Sequence, residues 1–282
     1  MAVEDRRVAA VLEQADAAAA LPRLGGMARP DGVVVVSGRF WAFAGTDGTV
    51  REGCMPRPRP AVRHVPLLRG LVRLGASLSP LFRRTGVARP LERRALLAAV
   101  LAPCVTIFLP SPFGLLAGLG VALGLVMWML RGRTLNLHGA EHRAIAAAEA
   151  RLLAASWRGE VRLTRFSPRC GTNFAALVAP VTFLFDRLWV LPTAVFTPLA
   201  VTLVSLALTM ELWQLVQSSQ RRVARALLLP GLALQRLTTR EPSLEETRVA
   251  LTAVAAVLER ELSSPTCRPV VSDGRTGQAR TS

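Results

Sequence analysis

Residues 95–130 carry no charged side chain, and at about 1.5 Å per residue one straight helix over that stretch would overshoot a hydrocarbon core roughly 30 Å thick. The chain has to fold back. Pro110, Ser111 and Pro112 mark the place, because proline lacks the backbone donor a helix interior needs and restricts the residue before it. This divides the block into two expected spans, residues 91–109 and 113–130. A second block, residues 172–216, contains only Asp186, Arg187 and Glu211 as charges, and a break near Pro192 gives two more. The expected fold class is therefore an all-α membrane protein with four transmembrane helices arranged as two hairpins.

Charge sets the expected orientation. The net charge is +16, the hydrophobic content is 51%, and every basic side chain is arginine. Arg83, Arg84, Arg89, Arg93 and Arg94 precede the first block, a dense set from Arg131 to Arg169 fills the middle, and Arg221, Arg222 and Arg225 follow the second block. The positive-inside rule then makes both termini and the central loop cytoplasmic, in a multi-pass protein of the inner membrane. The arginines flank apolar blocks without an aromatic stacking platform, so nucleic acid is set aside as a partner and anionic headgroups are preferred. No cleavable leader is visible at the N-terminus. Cys54, Cys104, Cys170 and Cys267 lie far apart, and their spacing suggests no disulfide framework.

Around the membrane blocks, residues 1–23 read as a weak helix or mobile arm. Residues 24–63 hold a small cytoplasmic β-element, with Val33 to Val36 and the run from Arg39 to Ala44 as strand-like pieces around Gly45-Thr46-Asp47-Gly48, followed by the Arg-Pro linker at Pro56, Pro58 and Pro60. Residues 64–262 form the expected membrane domain. Within it, the leucines from Leu67 to Leu81 recur at helical spacing with Arg69 and Arg73 among them, the pattern of an interfacial amphipathic helix. A second basic helix begins near Ser218 and is expected to break at Pro230-Gly231. Ser243 with Glu246 forms a capping box that opens a last helix to about Leu262. Residues 263–282 are expected to be disordered.

The chemistry-bearing segment is TLNLHGAEHRAIAAA, directly after the first apolar block. His138, Glu141 and His142 form H-x-x-E-H. On a helix, residues four apart lie one turn above each other, so two imidazoles reach one divalent ion, zinc among them, and Glu149 falls on the same stripe. Glu141 is then the candidate general base. The plainer alternative, in which these side chains only hydrogen-bond the chain's own loops, stays open. Asp31, Cys170, Glu211 and Glu241 are the candidates for a remaining ligand. Cys170 also fits a small buried residue, Glu211 an ion pair with an inner-face arginine, and the loop from Thr238 through Arg240 and Glu241 to Pro242 ordinary turn chemistry.

The runs LNLHGAEHRAI, SPRCGTNF and PGLALQRLTTREP, in that order, resemble the YqhQ-like family of bacterial multi-pass membrane proteins, a family of unknown function loosely labelled as predicted metal-dependent enzymes. The resemblance spans about residues 24–258. It implies that Asp31 takes an acidic place in a glycine-rich opening and that Arg169, Cys170, Arg240 and Glu241 belong to one polar site. Ser167 stands where the family usually has histidine, which leaves a ligand set incomplete. On that ground the preferred reading is a non-enzymatic membrane factor that binds a partner protein through its inner face. The second is a metal-dependent hydrolase at that surface, with His138 and His142 as ligands.

Overall fold

The computed structural model describes residues 2–56, 64–83, 86–106, 130–190, 197–219 and 221–263, with isolated positions between 109 and 127. Four strands, β1 (Gly25–Arg29), β2 (Gly32–Val36), β3 (Phe40–Gly45) and β4 (Val50–Cys54), form one antiparallel sheet in the order β1-β2-β3-β4. Alternation along the strands sorts side chains to two faces. Val33, Val35, Ala42 and Ala44 join one buried cluster, whereas Val34, Trp41 and Phe43 join another with Val87. The alanines of β3 leave room for helices to approach closely.

Those helices come from distant parts of the chain. α1 (Ala2–Ala17), α2 (Leu68–Phe82), α3 (Pro90–Thr106), α4 (Thr134–Ala150), α5 (Leu153–Arg158), α6 (Gly171–Arg187), α7 (Thr197–Ser218), α8 (Arg222–Ala226), α9 (Leu229–Thr238) and α10 (Leu244–Ser263) follow in order. α10 lies across β2 and β3 and beside α4, and α4 lies along β1. Leu251, Val254 and Leu258 of α10 are fully buried there with Leu137 of α4 and Leu153 of α5. The capping box is formed as expected, with Glu246 N–H donating to Ser243 Oγ at 3.1 Å and Ser243 N–H to Glu246 Oε2 at 2.9 Å. Residues 2–17, expected as a weak helix or mobile arm, form the helix α1, which is docked: its Val8, Leu12 and Ala15 enter the same core. The β-element therefore shares its core with the helices at both ends of the chain.

The four-span, all-α expectation is corrected. A four-stranded antiparallel sheet packs under the helices, and among the described residues only α7, over Leu199–Gln217, is long and apolar enough to cross a membrane. Among the described residues the expected first span is not long enough: α3 opens with Glu92, Arg93 and Arg94, and its described uncharged part, to Thr106, rises only about 18 Å. α6 is apolar over Gly171–Phe185 but short. The expected second span, residues 113–130, lies outside the described residues apart from isolated positions.

Other expectations shift in detail. Pro230 does not break a helix but starts one, in the first turn of α9, where its missing N–H costs nothing. α2 forms where expected and rests on α7, tied by Arg69 Nε to Glu211 Oε1 at 2.7 Å. Cys54 is disulfide-bonded, which the cysteine spacing did not suggest, and Cys170 is free. The expected disordered tail from residue 264 onward lies outside the described residues.

Candidate metal centre

α4 is alanine-rich and good at forming helix, but its middle is unusual in being buried all round: Gly139, Ala140, Glu141, His142, Arg143, Ala144 and Ile145 are all inaccessible. A helix buried on every side must satisfy its polar side chains from its neighbours. Two chain segments do this. Arg143 Nε donates to Leu163 C=O at 3.0 Å, Arg143 Nη1 to Pro242 C=O at 3.3 Å, and Arg143 is paired with Glu241. Arg240 N–H donates to Leu135 C=O at 2.9 Å. The 163–170 loop and the turn after α9 are thereby fastened over α4.

The two histidines take part in the same fastening. His138 Nδ1 lies 2.9 Å from Thr238 C=O and His142 Nδ1 lies 2.6 Å from Arg165 C=O. A carbonyl only accepts, so in each ring Nδ1 carries the hydrogen and Nε2 is left with a free lone pair. Burial lowers the pKa of both imidazoles, His142 to about 4 with neighbouring His138 adding to the effect, so both are neutral near pH 7. The rings meet edge to face with centroids 4.5 Å apart.

Both Nε2 atoms look toward Cys170, at the N-terminal edge of α6. His138 Nε2 is 3.1 Å from Cys170 Sγ. The ligand atoms of His138, His142 and Cys170 all lie within 4.8 Å of one another, and His142 Nε2 is buried with no hydrogen-bond partner. Glu141 completes the arrangement, its Oε2 standing 3.9 Å from each Nε2. With the histidines neutral these are not ion pairs. Burial alone raises the Glu141 carboxyl to about 8, and burial, then the nearby Glu141, raises the Cys170 thiol to about 11.

Gly26 of β1 forms the floor under Glu141, and a Cβ there would lie 2.7 Å from Glu141 Cγ. Gly139 plays the matching part on the other side, where a Cβ would come within 2.2 Å of Arg240 C=O. Gly139→Ala is expected to push the turn after α9 off α4 and to take Thr238 C=O away from His138. The cost should be on the order of 1–3 kcal/mol, read as a lowered Tm together with reduced metal retention.

The other sequence candidates are distributed differently. Glu149 and Arg169 pair with each other at the surface, Glu241 pairs with Arg143, and Glu211 pairs with Arg69, as the plainer reading of Glu211 had it. Asp31 sits in the β1–β2 turn and binds Arg29, which also reaches Glu92. Arg240 contributes backbone, not side chain, to the site. At the divergent position, Ser167 Oγ accepts from Arg169 N–H at 3.2 Å, and its carbonyl takes Gln235 Nε2 at 2.7 Å. Its side chain is spent on its own turn. The sequence gives no sign of the Arg165 carbonyl or the buried Gln235; the glycine-rich opening with Gly26 and the loop from Thr238, expected to meet the His138 region, stand out in it without the parts that Gly26 and the Thr238 carbonyl take.

Helices packed on one four-stranded sheet thus bring His138, His142 and Cys170 together beside Glu141 as a group that could hold a metal ion, and among the described residues one helix is long and apolar enough to cross a membrane. The chain belongs to the family described as protein of unknown function, DUF1385, whose profile matches residues 120–260. It is similar to the uncharacterized protein YqhQ of Bacillus subtilis (strain 168), with 32% identity over 165 residues, which is 56% of this chain and 51% of that protein. The chain thus spans about half the length of that curated relative. No solved structure matches it.

Proposed function

We propose that this chain is a metal-dependent hydrolase of a membrane surface, with His138, His142 and Cys170 as ligands of a zinc-type divalent ion and Glu141 as the acid–base group. One observation carries the reading: three ligand atoms converge within 4.8 Å, and one of them, His142 Nε2, is a buried lone pair with nothing to accept. The donor set suits the ion, since neutral imidazole and thiolate favour zinc and its neighbours over magnesium or calcium. Each imidazole is also oriented by a carbonyl on its far nitrogen, the arrangement that metal-binding histidines use. The preference for a non-enzymatic partner-binding factor rests on the ligand set left open at Ser167 and on the lack of a second catalytic motif; the convergence of Cys170 on His138 and His142 favours the metal reading.

Three protein ligands leave one position of a tetrahedron open, which is the mark of catalytic rather than structural zinc. A bound ion supplies Lewis acidity there. Glu141, whose Oε2 lies 3.9 Å from both Nε2 atoms, would with an ion bound take a proton from an attacking water and return it to the leaving group. A purely structural centre is favoured by one feature, the near-complete burial of His142 and Glu141, which would make Glu141 a fourth ligand.

Metal analysis of the full chain purified in detergent tests the reading. A single ion per chain is expected, with the ion lost from Cys170→Ala and His142→Ala and retained by Glu141→Gln. Protein that stays empty after exposure to zinc, or a Cys170→Ala chain loaded like wild type, would overturn it. Loss of the ion from Glu141→Gln would assign Glu141 as a ligand and replace the hydrolase with the structural centre.

A further inference from the structure

The segment that holds the centre from one side presents a different surface on the other. Along α8 and α9, Leu228, Gly231, Gln235 and Thr239 are buried, a spacing that puts them on one inward stripe. Gly231 lets that stripe approach α6 closely, since a Cβ there would fall 2.1 Å from Asn173 Oδ1. Gln235 binds the backbone of Ser167, and Thr238 offers its carbonyl to His138. The inward side is therefore fully used.

Pro230, Ala233, Leu234 and Leu237 form the opposite stripe, and all are exposed. Leu237 is 72% exposed, Leu229 62% and, on α8, Val223 80%. Such a concentration of large apolar side chains on the outer side of a short helix pair is not ordinary surface scatter. Arg221, Arg222 and Arg236 border it, are exposed, and make no ion pair among the described residues. α7, the crossing-length apolar helix, ends at Ser218, directly before this segment.

We propose that the outer face of α8 and α9 docks on a bilayer surface bearing anionic headgroups, with Leu229, Leu234 and Leu237 in the acyl boundary and Arg221, Arg222 and Arg236 among the phosphates. Charge selects this occupant: an apolar stripe framed by unpaired guanidinium groups, on a chain of net charge +16, matches an anionic interface. Continuity with α7 selects it again, because both surfaces face the same medium if that helix lies in lipid. The docked α9 would hold the His138 side of the centre about one helix diameter, roughly 10 Å, from the headgroups. The inference stands apart from the metal reading.

Hydrogen exchange of the full chain tests it, in nanodiscs of phosphatidylcholine alone and in discs that also contain phosphatidylglycerol. Amides of residues 222–238 should exchange roughly tenfold more slowly in the anionic discs, and the difference should vanish in Arg222→Gln/Arg236→Gln and in Leu234→Gln/Leu237→Gln. These side chains are exposed, so metal content and the exchange of α10 should not change, which separates lost docking from lost folding. Equal exchange in the two kinds of disc would overturn the proposal. Protection already present in detergent, together with a dimeric mass, would overturn it in favour of a second copy on this face.

Discussion

Zinc taken up by the metal-free chain near pH 7 should release about two protons per ion, and its affinity should rise about a hundredfold from pH 6 to pH 7. The protons have identifiable sources. Cys170 must become a thiolate to bind, and its thiol titrates near 11 in the metal-free chain. Glu141 titrates near 8, and a dication beside it supplies the positive charge that burial denies it. The histidines contribute little near pH 7, because burial lowers both imidazoles and keeps them neutral there. Above pH 8 Glu141 enters the reaction already ionised, so the slope should drop from two protons to one. Isothermal titration in buffers of different ionisation enthalpy reads both numbers. Cys170→Ala should remove one proton and weaken binding by more than about a hundredfold, whereas Glu141→Gln should remove the other proton and little affinity. A pH-independent affinity would mean that neither group meets the ion.

What made this centre hard to read in the sequence was its third ligand. H-x-x-E-H is local, so its geometry follows from helix periodicity alone, and the pairing of His138, Glu141 and His142 was legible from spacing. Cys170 lies far along the chain, and only packing of α6 beside α4 brings its sulfur to His138. The carbonyls of Arg165 and Thr238, which decide the tautomers of both rings, leave no trace in side-chain pattern at all. Glu211 shows the opposite case, where the expectation of an arginine partner needed only the cost of an unpaired carboxylate on an apolar helix, and Arg69 meets it.

The fold was legible where alternation or capping is strong and misleading where hydropathy stood alone. Val33 to Val36 with the aromatic run of β3 announces strands, and Ser243 with Glu246 announces α10. β1 was not recognised as a strand, because Gly25-Gly26-Met27-Ala28 has no β-branched residue; its strand state comes from pairing with β2 and from Gly26 making room for Glu141. The apolar blocks were read as four membrane crossings, since a window of uncharged residues does not distinguish a helix long enough to cross from a shorter one that packs on a neighbour. The weak pattern of alanine-rich residues 2–17 leaves helix and mobile arm undecided, and Val8 and Leu12, four residues apart, dock the helix on α10.

The second large effect concerns the metal-free chain, whose stability should be highest in mildly acidic solution and fall on either side. Glu141 has its pKa raised from 4.5 to about 8 by burial, so the folded chain holds a proton that the unfolded chain has released, and the resulting stability is complete below about 4.5 and lost as pH rises through 8. His142 has its pKa lowered from 6.5 to about 4, so its contribution is complete above about 6.5 and lost as pH falls through 4. Between these limits the two slopes oppose each other and nearly cancel. The alkaline loss from Glu141 should be on the order of several kcal/mol, and Glu141→Gln, which cannot ionise, should escape it. Thermal unfolding of the two proteins side by side in detergent with a chelator present should therefore show wild type falling progressively behind Glu141→Gln as pH rises from about 4.5 to 8. Zinc should stabilise both proteins and narrow the gap, because a dication at the His138, His142 and Cys170 donors would compensate the ionised Glu141. Parallel pH profiles for the two proteins, with and without zinc, would show that the carboxyl at 141 reaches water and that the buried centre is not as drawn.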